Sequence, residues 1–573
     1  MVAAAMPRHA GSGPEKPNAA AAAPPGQQAL ADAALGDIDV QLANMGLEER
    51  VGQLLMVGLA GTEVSPAVAR WVRERRVGGV ALFARNIVNL AQTATFVRDL
   101  LALAHGHVPP FIALDQEGGN VLRIKDGATI LPGNMTLGAS HDPALAYAAG
   151  HALGVDLWRL GFNMNLAPVL DINSNPQNPV IGVRAYGEKP DLVGHMGAWF
   201  VRGQQEMGVA AVAKHFPGHG DTQTDSHFAM PTVDATMARL EAVELAPFRE
   251  AIAAGLDAVM TAHIALPKVA EAPDLPATLS RHLLTDVLRG EMGFDGVIMT
   301  DGLEMQGIIA KYGAGRGAVK AVLAGADMPM VLWSDESREE VYQALLHAAR
   351  QGEISSARLE TSVRRILTLK ARRGLYNHPL ESVATLRQTA NRNALHEALA
   401  QRIAQAGVTL VRNAHDVLPI DAKRHRRVVV LAPPGPFAQR LAQRPHTKVV
   451  TMPFVPSREQ RRDLVAQAQR LARDGDLLVA AVVNRYHVDI THQVLAATAK
   501  LPSAVVSFAS PYYIKLLPEA SAYVCTYSYL DTAQVAAAEG VLGAAAMPGA
   551  LPVTIPGLYA YGHHLQSAVA PRP

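Results

Sequence analysis

Cysteine is almost missing from this chain: its 573 residues include one, Cys525. No internal disulfide can form, and a cysteine-rich zinc or redox site is excluded. The lone thiol sits in the apolar run AYVCTYSY, which predicts a buried structural side chain rather than a reactive one. An excess of either charge is also lacking. Lys and Arg number 52 against 51 Asp and Glu, a formal net charge of +1, so nothing biases the protein toward nucleic acid or a membrane surface. Nor does any window hold the roughly 18 to 20 uninterrupted apolar residues that cross a bilayer. Residues 1–36 are rich in Ala, Pro and Gly and lack the continuous apolar core of a secretory signal; they read as a disordered tail on a soluble, cytoplasmic protein.

With 49% hydrophobic residues and this length, the chain has material for more than one core, and two large domains are expected. From about residue 50, eight short apolar runs recur between amphipathic stretches: QLLMVGLAG, GGVALFA, PFIALDQE, NMNLAPVLDI, VAAVAKHF, LDAVMTAHI, GVIMTDGL and ADMPMVL. Continuous apolar runs bounded by turn residues fit strands buried on both faces, and segments such as TATFVRDLLALAH have helical spacing. Eight such units predict an α/β fold, a TIM-type (β/α)8 barrel over 37–376. A polar linker at 377–395 precedes a smaller α/β domain at 396–573, whose strands are read from RRVVVLAPP, TKVVTMPF, DLLVAAVV, PSAVVSFAS and AYVCTYSY.

Asp115, Asp171, Lys214 with His215, His263 and Asp301 all fall at the C-terminal ends of proposed strands, where a barrel gathers its catalytic groups around one mouth. The densest cluster is KHFPGHGDTQTDSH at 214–227, open to three readings: a metal site, a hydrogen-bonded polar loop, or a proton-transfer site. Glycines between His215, His219 and His227 prevent the rigid helical face that preorganises zinc ligands. Asp225 and His227 stand two apart, so in an extended loop a carboxylate can orient an imidazole and raise its pKa. At pH 7 an unperturbed imidazole is about 25% protonated and a glutamic acid only about 0.2%, so such a dyad holds a proton ready without an apolar pocket. Asp301 is the candidate nucleophile, with a helix cap as its alternative role. A carboxylate nucleophile plus a proton donor is the minimum for retaining glycoside hydrolysis.

These motifs, with LDQEGGNVLRI at 114–124, NPVIGVRAYG at 178–187, VMTAHIALP at 259–267 and VIMTDGLEM at 297–305, resemble glycoside hydrolase family 3, in particular its bacterial β-N-acetylglucosaminidases. The resemblance implies that Asp301 forms a covalent glycosyl-enzyme and that His227, paired with Asp225, is the acid/base on a mobile loop. It implies that Asp115, Arg123, Arg184, Lys214 and His215 hold the hydroxyls of a terminal N-acetylglucosamine, with His263 and Met305 bordering the pocket. Gly302 stands where a second Asp is common, and Ala185 and Tyr186 where Ser and Phe are frequent; each bears on the shape of the site. AGVTLVRNAHDVLPI at 406–420, SFASPYYIKLLP at 507–518 and GALPVTIP at 549–556 resemble the family's second domain, for which a structural or access-shaping role is expected.

The implied activity is exo-hydrolysis of N-acetylglucosamine from peptidoglycan fragments, with no metal or organic cofactor and a carbohydrate or muropeptide as the partner. A phosphorylase with the same residues is the alternative, because an imidazole does not repel incoming phosphate as a carboxylate does. A catalytically silent sugar-binding protein is the other.

Overall fold

The computed structural model describes residues 38–225, 229–390 and 394–567. Eight parallel strands close a barrel: β1 (Met56–Gly58), β2 (Gly79–Leu82), β3 (Phe111–Leu114), β4 (Met164–Asn165), β5 (Ala210–Phe216), β6 (Ala258–Thr261), β7 (Val297–Gly302) and β8 (Met328–Val331). Each lies within one of the eight apolar runs. The strand β4 is the shortest because Pro168, in LAPV, has no N–H for the ladder; pairing resumes as a bridge between Val169 and Lys214.

Alternation along the strands sorts the core into two layers. Met56, Ala81, Phe111, Ala113, Met164, Val212, Met260, Val297, Met299, Met328 and Met330 fill the lumen, whereas Ile112, Leu114, Ala211, Ala213 and Ile298 pack outward against the helices. Flexible methionines suit a tapering lumen, and Gly79 makes room there: a Cβ would stand 2.4 Å from Met56 Cε. Ile366 and Leu369 of the helix Ser356–Arg372 join the lumen cluster, as does Leu375. Lys370 of that helix lies against the Phe111 ring and donates to Gln53 Oε1 at 2.8 Å; its burial pushes its pKa well down. The period of two then carries inward from Ala113 to Asp115, from Val212 to Lys214 and from Met299 toward Asp301, where the β7–β8 register shifts. Polar groups thus cluster at the mouth.

The second sheet is ordered β11-β10-β12-β13-β14-β9, from β9 (Thr409–Asn413), β10 (Val428–Ala432), β11 (Thr447–Thr451), β12 (Leu477–Val482), β13 (Ser503–Ser507) and β14 (Ala522–Cys525). Five strands are those read from sequence. The sixth, β9, runs antiparallel at the edge and was not among the strand runs, because TLVRN turns polar after three residues. Cys525 is fully buried and burial pushes its thiol up, as expected of a structural cysteine. Met135 and Ala139, on the barrel-side helix Asn134–Ser140, belong to the hydrophobic cluster of the second sheet. Glu188 ties the two parts further, accepting from Thr554 N and Oγ1 at 2.7 Å each. No described helix is long and apolar enough to cross a membrane.

Candidate active site

The barrel mouth holds a chain of alternating charges. Lys214, only 2% exposed, places its ammonium 2.7 Å from Asp115 and 2.8 Å from Glu117. Arg123 donates to the other oxygen of Asp115 at 3.0 Å, and Arg184 meets Glu117 through two parallel bonds of 3.0 and 2.8 Å. The order is Arg123, Asp115, Lys214, Glu117, Arg184, each charge flanked by its opposite. Burial alone would raise the Glu117 carboxyl, but Arg184 and Lys214 hold it well below the usual carboxylate range. Asp115 is lowered in the same way against its burial, by Lys214 and Arg123. Burial would lower Lys214, and the two carboxylates raise it instead.

A second cluster adjoins it. Asp171, fully buried, accepts from the backbone amides of His215 at 3.2 Å and His219 at 2.6 Å, and bonds His215 Nδ1 at 2.7 Å. Burial pushes its carboxyl up; the charge and hydrogen bond of His215 win and bring it down. Burial lowers His219, and His215 lowers it further. Asn178 of NPVIG donates to the carbonyls of His219 and Gly220 at 2.8 and 3.0 Å and to Thr222 Oγ1 at 3.2 Å, so one motif pins the other. Past the loop, Ala265 N donates to Pro231 O and Val233 N to Ala265 O, both at 2.9 Å.

Asp301 is half-buried at the end of β7 and accepts from Gly302 N at 2.7 Å. It does not cap the next helix, Gln306–Tyr312, where Met305 occupies the cap position. Its charge reaches His219 and slightly opposes the lowering that burial and His215 impose there. His263 is wholly buried, bonded through Nδ1 to Thr278 Oγ1 at 2.8 Å and through Nε2 to the Gly302 carbonyl at 3.0 Å; it braces β7 from β6. Met305 is buried beside Gly302. Asp225 lies on the loop after His219, and Ala229 N returns to its carbonyl at 3.2 Å. His227 lies outside the described residues. Met230, just past it, has its Cα 3.9 Å from where a Cβ on Gly307 would stand, so the loop re-enters close behind β7.

Asp115, Arg123, Arg184 and Lys214 therefore form one network, His215 belongs to the neighbouring Asp171 cluster, and His263 and Met305 support the strand that carries Asp301. Glu117 was missed by sequence reasoning, though its place two residues beyond Asp115 repeats the inward period. Among the described residues no group of three His, Cys, Asp or Glu is placed to hold a metal ion.

Residues 46–369 match the glycosyl hydrolase family 3 N terminal domain. Beta-hexosaminidase A of Pseudoalteromonas piscicida is 32% identical over 490 residues, which span 80% of this chain and 77% of that protein. A beta-N-acetylglucosaminidase/beta-glucosidase of Cellulomonas fimi is 28% identical over 559 residues, 91% of this chain and 96% of that one. The solved structure of a glycoside hydrolase family 3 beta-N-acetylglucosaminidase from Paenibacillus sp. str. FPU-7 superposes with a TM-score of 0.81 at 38% identity, covering 89% of this chain and 99% of that one.

Proposed function

Because the chain belongs to glycosyl hydrolase family 3, we propose that it is a retaining exo-β-N-acetylglucosaminidase, releasing terminal N-acetylglucosamine from peptidoglycan fragments. The observation that carries this is the state of Asp301. Asp115, Glu117 and Asp171 are each bonded to a Lys, Arg or His side chain, whereas among the described residues no basic side chain forms an ion pair with Asp301. A carboxylate that must attack carbon is least hindered when no cation holds its lone pairs. The names of the relatives in Pseudoalteromonas, Cellulomonas and Paenibacillus support the sugar.

In this mechanism an Asp301 oxygen attacks the anomeric carbon as the bond to the leaving oxygen breaks, and the His227 imidazolium, oriented by Asp225, gives that oxygen its proton. The neutral imidazole then takes a proton from water, which displaces the aspartyl ester and restores the original anomeric configuration. Asp115 accepts from the sugar hydroxyls while Arg123, Arg184, Lys214 and His215 donate or orient; charge-assisted bonds to hydroxyls supply most of the grip. His263 and Met305 keep the end of β7 in register. Residues 37–376 act as the catalytic unit, and residues 396–573, joined by 377–395, as its support.

The test is Asp301→Ala beside His227→Ala, each assayed on an activated aryl N-acetylglucosaminide and on a muropeptide, with and without phosphate. Asp301→Ala should lower both activities by on the order of 10⁴-fold or more. His227→Ala should cost about 10²- to 10⁴-fold on the muropeptide and much less on the aryl glycoside, whose leaving group needs little protonation. Equal activity of Asp301→Ala and wild type would refute the nucleophile, and sugar 1-phosphate as the main product would replace hydrolysis with phosphorolysis.

A further inference from the structure

Trp333, two residues beyond β8, is 56% exposed, yet it is firmly held. Its backbone amide donates to both oxygens of Glu304 at 3.0 and 3.1 Å, and the same carboxylate fixes the amides of Leu332 and Ser334 at 2.6 and 3.0 Å. The indole lies 5.1 Å from the Phe83 ring and 4.6 Å from the Arg85 guanidinium, which is itself 4.7 Å from Phe83. The three groups are in mutual contact, with the Phe83 ring and the indole tilted by 35°. Arg85 is anchored in turn by bonds to the carbonyls of Leu59 and Leu332 at 3.1 and 2.6 Å.

The platform also has a definite place. Phe83 packs on the lumen cluster, continuing the inward period of β2 past Ala81. Because β8 neighbours β7 and β2 neighbours β3, Trp333 and Phe83 span the arc of the mouth between Asp301 and Asp115. Arg123 closes the arc, 5.8 Å from the Phe83 ring and bonded to Asp115. On the β3–β4 side the mouth meets the second domain: the helix Asn134–Ser140 packs into the cluster of the second sheet, and Glu188 accepts from Thr554. The exposed face of Trp333 on this arc is where a saccharide extending beyond the first sugar can meet an aromatic side chain.

An indole held by its neighbours and still 56% exposed lacks the gain of burial over that area until a flat apolar face covers it. We infer that Trp333, backed by Phe83 and Arg85, forms a second saccharide subsite that stacks against the pyranose on the leaving-group side of the scissile bond. This rests on the glycosidase function proposed above. It makes the protein select glycosides whose leaving group is itself a sugar.

Calorimetric binding of di-N-acetylchitobiose and of N-acetylglucosamine tests this in the full-length Asp301→Asn protein, with Trp333 intact, changed to Ala, or changed to Phe. Trp333→Ala should weaken the disaccharide roughly tenfold, the loss expected from uncovering one sugar face. It should leave the monosaccharide within about twofold, and Trp333→Phe should retain most of the affinity. Equal weakening of both sugars, or an unchanged disaccharide, overturns the subsite. If Asp301→Asn still cleaves the disaccharide, the nucleophile assignment fails instead, and the subsite is decided by the same comparison of kcat/KM against the glycosyl fluoride, whose leaving group is one atom. If the intact platform binds neither sugar, both proposals fall.

Discussion

Lys214 has its charge buried between two carboxylates, with Arg184 beyond them. Such a pair contributes little over an apolar replacement, but breaking it strands what remains. Lys214→Met should therefore lower the stability of the barrel by about 3–5 kcal/mol in chemical denaturation, because Asp115 and Glu117 lose a shared cation. The pH dependence has a definite sign. Asp115, Glu117 and Asp171 titrate lower when folded than their unfolded values of about 3.9 to 4.3, so their contribution is complete above about pH 4.5 and is lost as pH falls through the folded values. Lys214 is raised, so its contribution is present below its unfolded value of about 10.4 and disappears as pH rises through the folded one. Glu117→Gln should melt lower than wild type at pH 7 and show a shallower decline between about pH 4 and pH 2. Parallel acid limbs for the two proteins would mean that Glu117 is not part of the acid-sensitive network.

At the scale of elements, the loop that follows β5 is set by how closely it passes the end of the β4 run. A Cβ on Gly220 would stand 1.7 Å from the carbonyl oxygen of Ile172, which is backbone and cannot step aside. Gly220→Ala should cost about 1–3 kcal/mol of stability and at least about tenfold in kcat/KM, because it lifts the amide of His219 off Asp171. Gly290 is the contrasting case. It is exposed on the helix His282–Glu291, with 3.5 Å to the nearest atom, and Gly290→Ala should stabilise by about 0.4–1 kcal/mol with activity unchanged. Melting curves and steady-state kinetics on the two variants check both outcomes.

On the scale of the whole molecule, the barrel and the second sheet share a core. Met135 and Ala139 sit in the hydrophobic cluster of the second sheet, and Thr136 Oγ1 donates to Thr526 O at 2.9 Å. Asn173, near the Asp171 cluster, donates to the Tyr512 hydroxyl at 3.0 Å. A protein ending at residue 376 should accordingly expose an apolar face, bind a hydrophobic dye, and melt several degrees below the intact chain, at roughly 2–4 °C per kcal/mol lost. An unchanged melting temperature without dye binding would show that the barrel does not depend on its neighbour.

The eight apolar runs and their polar ends were legible in the amino-acid order because strand alternation is local: once Ala113, Val212 and Met299 face the lumen, Asp115, Lys214 and Asp301 each follow one two-residue step later. The edge strand β9 was not legible, since an edge need bury only part of its length. What the order of residues could not convey is which side chains of distant strands end up as neighbours. That Glu117 stands between Lys214 and Arg184, that both nitrogens of His263 are spent on Thr278 and Gly302, and that Phe83, Arg85 and Trp333 meet are consequences of closure. A strand's own period says which way a residue points, and only the ring of eight strands decides what it points at.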